Sequence, residues 1–380
     1  MELEKLHQDI EVIDEELGAL FARRMELGAE IARRKQAAGD ILPNMAAERA
    51  ARARFREKAG QELEGYAGVL YATLEDVSRS YQAAVTSTGN EQSERIETAL
   101  KSTPTMFPEK ATVACQGVEG AYSQQAVEKL FREPEISHVS RFEAVFAAIA
   151  SGLCRYGVLP LENSTAGSVN RIYDLMMEYN FSIVRSVRVK VDHSLLARPG
   201  VKLEDVREVY SHEQAIAQCA DFLRAHPEIH VTACENTALA AKTVAESQRR
   251  DIAALSSHSC AELYGLSTLA ASVQDKGNNY TRFICIGKEL EIYPGADRTS
   301  IMLTTSHRPG ALYRIMARIN SLGINLTKLE SRPLPDRDFE FMFYFDLDTP
   351  VYSPKLAQLM GDLEHLCESF RYLGSYSEII

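Results

Sequence analysis

The chain has 380 residues, 45% of them apolar and 25% charged, with a formal net charge of −11. That length exceeds one ordinary core and predicts two to three domains. The acidic balance excludes nucleic acid and anionic membrane as partners, and no uncharged apolar run reaches the roughly 18 residues that a membrane span needs.

The start, Met1-Glu2-Leu3-Glu4-Lys5, is charged and predicts no signal peptide. Seven cysteines lie far apart with no C-x-x-C pair, which predicts reduced core thiols in the cytoplasm and no metal. On so acidic a chain, an anionic substrate requires local positive charge for its capture.

Residues 1–85 read as helices throughout. Leu3, Leu6, Ile10, Ile13, Leu17 and Leu20 recur at steps of three and four, an apolar seam for another helix. The stripe continues through Arg24, Leu27, Ile31 and Lys35. Arg24 and Lys35 are about three turns apart, which places two cations on an otherwise apolar face. A second helix is predicted after Pro43, and a third from Gln61 to Ala84 carries Ser78 and Gln82 at i and i+4. Residues 86–109 are polar, contain Pro104 and Pro108, and read as a linker.

From residue 110 to 290 strands and helices alternate, as in an α/β domain. Strands are predicted at Thr112–Cys115, Tyr156–Pro160, Ile183–Val191, Glu208–Tyr210 and Ile252–Leu255. Residues 298–380 read β-α-β-β-α-β, a ferredoxin-like order. Its strands are Ser300–Thr305, Asn325–Arg332, Glu340–Asp348 and Ser369–Gly374, with helices over Ala311–Leu322 and Ser353–Cys367.

Four stretches stand out between residues 110 and 290: Gly117 to Ala126 (GVEGAYSQQA), Pro160 to Val169 (PLENSTAGSV), Ser211 to Cys219 (SHEQAIAQC) and Asn279 to Phe283 (NYTRF). In this order they resemble prephenate dehydratase. The resemblance implies two α/β lobes of the periplasmic-binding-protein type around a cleft, and a decarboxylative dehydration of prephenate to phenylpyruvate. Aromatisation of the ring drives that reaction. The site has to help a hydroxyl leave and hold a dianion, so no metal or organic cofactor is implied.

By the same resemblance Thr281 stands at the leaving hydroxyl, orienting it and hydrogen-bonding to it. Arg282 either binds a carboxylate or pairs with a buried acid such as Glu162. Glu162 is a general acid if burial raises its pKa, and a structural carboxylate otherwise. Phe283, Asn163, Ser164, Ser211 and Gln218 complete the expected set. Ser211 and Gln218 face one side if a helix starts early enough to hold both. The turn Gly117–Gly120, opening a helix near Tyr122, offers backbone N–H groups to an anion.

His307-Arg308-Pro309-Gly310-Ala311-Leu312 and Glu330-Ser331-Arg332-Pro333 resemble the two phenylalanine-binding motifs of an ACT domain. They imply a regulatory site at Gly310, Ala311, Leu312, Glu330, Ser331, Arg332 and Pro333, formed between two copies, hence a homodimer or homotetramer. A chain ending near Lys288 is then expected, if folded, to stay active and lose feedback.

The front helices resemble the all-helical chorismate mutase class, which makes prephenate from chorismate. Arg24, Lys35, Glu48, Ser78 and Gln82 match its chorismate-binding positions. The departures are His7 in place of an arginine, and an altered stretch from Asn44 to Ala50, where Asn44, Ala47 and Glu48, or Ala46, Arg49 and Ala50, stand at the positions of the usual acid and Arg-Glu pair. They predict a weak or silent mutase. The rival functions are an arogenate dehydratase, which takes an amine for the keto group, and a sensor that binds an amino acid without reacting.

Overall fold

The computed structural model describes residues 2–38, 45–86, 91–334 and 340–380; Pro43 and Asn44 lie outside them. Four helices come first: α1 (Glu2–Ala38), α2 (Met45–Ala59), α3 (Glu64–Thr86) and α4 (Glu91–Ser102). Residues 86–109, expected as a linker, thus carry a helix. Ile96 and Ala99 are buried on it, an apolar i, i+3 pair too short to stand out from its polar surroundings.

Next come β1 (Lys110–Gln116), α5 (Tyr122–Leu130), β2 (Glu133–Val139), α6 (Phe142–Ala150), β3 (Tyr156–Asn163), β4 (Gly167–Ser168), α7 (Asn170–Glu178) and β5 (Ser182–Lys190). The chain continues through β6 (Ser194–Ala197), β7 (Glu208–Ser211), α8 (Glu213–Gln218), α9 (Ala220–Arg224), β8 (His230–Ala233), α10 (Thr237–Glu246), β9 (Ile252–Ser256), α11 (Ser259–Tyr264) and β10 (Ser267–Ala270). It returns in β11 (Tyr280–Gly287) and closes with β12 (Arg298–Thr304), α12 (Ala311–Ser321), β13 (Asn325–Pro333), β14 (Phe341–Asp348), α13 (Pro354–Leu366), β15 (Ser369–Tyr376) and β16 (Glu378–Ile379).

The elements divide into two compact units, one of residues 1–97, 303–326 and 352–371, the other of residues 98–302, 327–351 and 372–380. In the first, α1 packs on α3 through Met25, Gly28 and Ala29, and a Cβ on Gly28 would lie 3.0 Å from both Ser78 Oγ and Gln82 Nε2. The opposite strip of α1 is bare: Leu3, Leu6, Ile10, Ile13, Leu17, Leu20, Leu27 and Ile31 are all exposed. Helices α12 and α13 join this unit along α3. Arg314 Nε donates to Asp76 Oδ2 at 2.7 Å, and Ser80 Oγ to Asp362 Oδ1 at 2.6 Å.

The second unit holds two sheets with the strand orders β16-β5-β11-β3-β1-β2 and β10-β6-β9-β7-β8, β4 pairing with β3. Strands β1, β2 and β3 run parallel, while β11 enters antiparallel between β3 and β5. Period-two alternation gives the first sheet a core on each side. Leu159, Leu161, Ile284 and Ile286 face α6 and α7, and Val158, Phe283 and Cys285 face α5. The chain passes from one sheet to the other between β5 and β6 and returns between β10 and β11. A third sheet orders as β13-β14-β12-β15, the pattern of a β-α-β-β-α-β chain, with β13 at its edge.

Candidate active site

Register builds the site. In the antiparallel β11–β3 pair, Thr281 lies opposite Asn163 and Arg282 opposite Glu162, with a bulge just before Phe283. Neighbouring residues on a strand point to opposite faces. Thr281, Phe283 and Asn163 therefore line a cavity of about 530 Å3. Arg282 and Glu162 turn to the other face.

The cavity collects helix starts. Gln116, Gly117, Ala121, Tyr122 and Ser123 line it from the start of α5, Val169 from that of α7, and Asn236 and Thr237 from that of α10. Gly117 (φ +115) and Gly120 (φ +87) make the turn before α5, and a Cβ on Gly120 would lie 2.9 Å from Cys260 Sγ. Among the described residues no Lys or Arg lines it, and Glu235 is the one carboxylate that does. The local cation expected from the acidic composition is replaced by helix dipoles and backbone N–H groups, which favour an anion without a long, mobile side chain.

Asn163 is anchored by its own turn. Its Oδ1 accepts from Thr165 N at 3.0 Å, Ala166 N at 2.9 Å and Thr165 Oγ1 at 2.7 Å. The amide Nδ2 therefore faces the other way, donating to Asn279 Oδ1 at 2.8 Å and to Thr281 Oγ1 at 2.9 Å. Since Thr281 accepts there, its own proton is left for a donor role beside the cavity. Gln218 lines the cavity too and donates through Nε2 to Thr165 Oγ1 at 3.1 Å.

The other expected residues sit elsewhere. Ser211 ends β7, fully buried, and donates to Leu255 O at 2.7 Å; α8 begins after it, so it does not share a helical face with Gln218. Ser164 Oγ donates to Asn278 O at 3.2 Å and accepts from Tyr280 N at 3.0 Å. Arg282 Nη1 lies 3.0 Å from Glu162 Oε1 and 2.6 Å from Asp346 Oδ2, and Nη2 donates to Tyr376 Oη at 2.9 Å. Burial pushes the Glu162 carboxyl up, but Lys328 at 2.7 Å and Arg282 outweigh it and hold it below the usual carboxylate range. The condition for a general acid, a raised pKa, is not met. Tyr122 and His193 also line the cavity, and Asn279 and Thr165 bond to its Asn163 and Gln218. Asn279 opens the NYTRF stretch, and that was the available signal; His193 had none.

In the front helices, Arg24 Nη1 donates to Leu74 O at 3.2 Å and its guanidinium stands 5.8 Å from the Tyr71 ring centre. Gln82 Nε2 donates to Ser78 Oγ at 3.0 Å, while Glu48 pairs with Arg79 at 2.9 Å. Arg24 and Lys35 are half-buried, at the border between the strip facing α3 and the bare apolar strip. Gly310, at φ +81, caps the start of α12, followed by Ala311 and Leu312 in the first unit. Glu330 to Pro333 lie on β13 in the second unit, where Ser168 bonds Glu330 and Arg332 Nε donates to Asp174 at 2.8 Å.

The prephenate dehydratase profile matches residues 113–291, and that of chorismate mutase type II matches residues 6–83. Arogenate dehydratase 2 of Petunia hybrida is 37% identical over 281 residues, 70% of this chain and 71% of that protein. A bifunctional chorismate mutase/prephenate dehydratase of Stutzerimonas stutzeri is 33% identical over 294 residues, 77% of this chain and 80% of that one. The solved prephenate dehydratase of Arthrobacter aurescens in complex with L-Phe is 27% identical, with a TM-score of 0.65 over 70% of this chain and 89% of its own. This chain belongs to the prephenate dehydratase family, with a type II chorismate mutase segment ahead of the dehydratase.

Proposed function

We propose that the cavity at Thr281 takes prephenate and converts it to phenylpyruvate. The ring C–O bond breaks with its electron pair on oxygen, and the pair of the ring–carboxylate bond moves into the ring. One prephenate dianion and one proton give phenylpyruvate, carbon dioxide and water. Thr281 stabilises the charge growing on the leaving oxygen, and the starts of α5, α7 and α10 hold the carboxylates. The observation that carries this reading is the Asn163-to-Thr281 hydrogen bond, which occupies an acceptor site of the Thr281 hydroxyl and leaves its proton for donation. Thr281→Val keeps the shape and is expected to lower kcat roughly 10²-fold or more. Near wild-type turnover of prephenate overturns the assignment.

The Petunia relative's name supports arogenate as the alternative substrate. Comparison of kcat/KM for the two compounds on the purified chain decides between them. Turnover of neither leaves the amino-acid sensor.

The domain division 1–85, 110–290 and 298–380 accompanies this reading. The last segment is an ACT-type domain that binds phenylalanine and lowers dehydratase turnover. Its strand order and the positive φ of Gly310 support this, as does the phenylalanine bound in the Arthrobacter structure. Two features support self-association: the bare strip of α1 and the edge position of β13. Seven free cysteines favour a reducing cytoplasm, and among the described residues no helix is long and apolar enough to cross a membrane.

A further inference from the structure

We propose that His193 is a positioning residue for the dehydration, acting through Gln218 and Asn279 to hold the Thr281 hydroxyl as a donor toward the cavity. This rests on the reading that Thr281 stands at the leaving hydroxyl. Backbone donors fix one end of the chain of bonds, and each later member inherits its direction. Asn163 Oδ1 takes the Thr165 and Ala166 N–H groups, so Asn163 Nδ2 faces Asn279 Oδ1. Asn279 must then present Nδ2 to Gln218, which accepts through Oε1 at 2.9 Å. Gln218 is left to donate through Nε2 to Thr165. Its Oε1 has room for a second donor, and His193 Nε2 stands 3.1 Å away. With an acceptor there, Nε2 must carry the proton.

The surroundings suit that tautomer. His193 is 2% exposed, and burial pushes its pKa down, outweighing the Gln218 hydrogen bond. Nδ1 is then an acceptor, and it faces the Tyr122 hydroxyl at 3.5 Å, a donor that it shares with Asp192 O at 2.6 Å. The backbone of His193 is pinned in the passage between the two sheets: its N–H donates to Gln274 Oε1 at 2.9 Å and its carbonyl accepts from Val273 N at 2.8 Å. A ring held on both sides of the backbone fixes Gln218. A Gln218 amide turned end for end would set its NH2 against two donors and withdraw the proton from Thr165. Asn279 would lose its acceptor, and its Oδ1, which shares the Asn163 amide with Thr281, would no longer be held in place.

The test measures kcat and KM for prephenate in four variants. His193→Gln keeps an N–H donor near the Nε2 position and is expected to retain at least about half the wild-type kcat. His193→Asn keeps polarity but places its donor short of Gln218, and should lower kcat about tenfold with KM within about threefold. In a Thr281→Val background the same His193→Asn change should cost less than about twofold, because its effect passes through the missing hydroxyl. Wild-type kcat in His193→Asn overturns the inference, as does a full tenfold loss in the Thr281→Val background. If His193→Asn does not fold, Gln218→Met, which removes the same link, is subject to the same two criteria. Wild-type turnover in Thr281→Val overturns the underlying reading; loss there with wild-type turnover in His193→Asn overturns this inference alone.

Discussion

Thr281 and Arg282 are neighbours in the sequence and strangers in space. A strand sends them to opposite faces, Thr281 to the cavity and Arg282 into a charged cluster with Glu162, Asp346 and Tyr376. Arg282 is therefore a structural cation, its side chain only 7% exposed. Glu162 supplies a stability prediction. Its folded-state pKa lies below the ordinary 4.5, because the Lys328 hydrogen bond and the Arg282 charge overcome the upward push of burial. A depressed value stabilises the fold above the unfolded-state pKa, and that contribution is lost as pH falls through the folded value. Stability should thus decline from near pH 4.5 downward. Glu162→Gln is expected to cost roughly 1–3 kcal/mol at pH 7 and to flatten the acid limb. Urea unfolding at pH 7, 5 and 4 reads both, and an acid limb as steep as wild type would exclude Glu162 as its source.

At the scale of elements, α1 shows how far periodicity reaches. The seam from Leu3 to Leu20 was legible, and the structure leaves it bare. Arg24 and Lys35, about 20° apart around the helix axis, stand beside Leu27 and Ile31 at the rim of that strip. A second copy laid on the strip would bring its own side chains to both cations. Ile10→Asp with Leu17→Asp is accordingly expected to shift the chain to a smaller oligomer in sedimentation velocity, with any chorismate turnover falling alongside. An unchanged sedimentation coefficient would show that α1 is not the contact. Helix α8 illustrates the opposite case. Ser211 and Gln218 share a helical spacing, yet the helix starts at Glu213, after the strand has already turned Ser211 onto Leu255.

At the scale of the whole molecule, residues 327–351 and 372–380 of the last segment belong to the same compact unit as the dehydratase strands. Asp346, Tyr376 and Glu378 surround Arg282, and β16 adds a parallel strand to β5. A chain ending near Lys288 would leave the Arg282 guanidinium with Glu162 alone. Removing partners from a buried charge costs about 3–5 kcal/mol. Such a truncation should therefore unfold at markedly lower urea than the full chain, and equal midpoints would refute this. Feedback is better tested by Gly310→Ala in the intact chain, where a Cβ meets nothing within 4 Å but must adopt φ +81. Phenylalanine should inhibit the wild type, and this variant should need several-fold more of it; identical inhibition curves would place the site elsewhere. For the front helices, His7→Arg is expected to raise chorismate turnover and Arg24→Ala to abolish it, because a bidentate cation replaces or leaves a carboxylate contact. Chorismate turnover that already matches prephenate turnover in the wild type would show that His7 and the altered Asn44–Ala50 stretch cost nothing.

Periodicity and turn chemistry are local, so the sequence by itself determined the helical front, the alternating middle and the β-α-β-β-α-β end. Five strands of the middle, β2, β4, β6, β8 and β10, escaped it. β4 has two residues, β6, β8 and β10 have only four each, and β2, with Pro134 among Glu133, Glu135, Ser137 and His138, lacks an apolar run. Thr281, Asn163, Gln218 and Phe283 were legible because their motifs are unusual as residue strings, and they meet at one cavity. Which member of Thr281-Arg282 faces that cavity was decided by register with β3. Whether Glu162 is an acid or a partner was decided by Lys328, more than 160 positions away. His193 belongs to the site only because the passage between two sheets brings it within 3.1 Å of Gln218. Direction of hydrogen bonds, pairing of buried charge and the face of a strand all depend on partners distant in the chain, and only the tertiary structure supplies them.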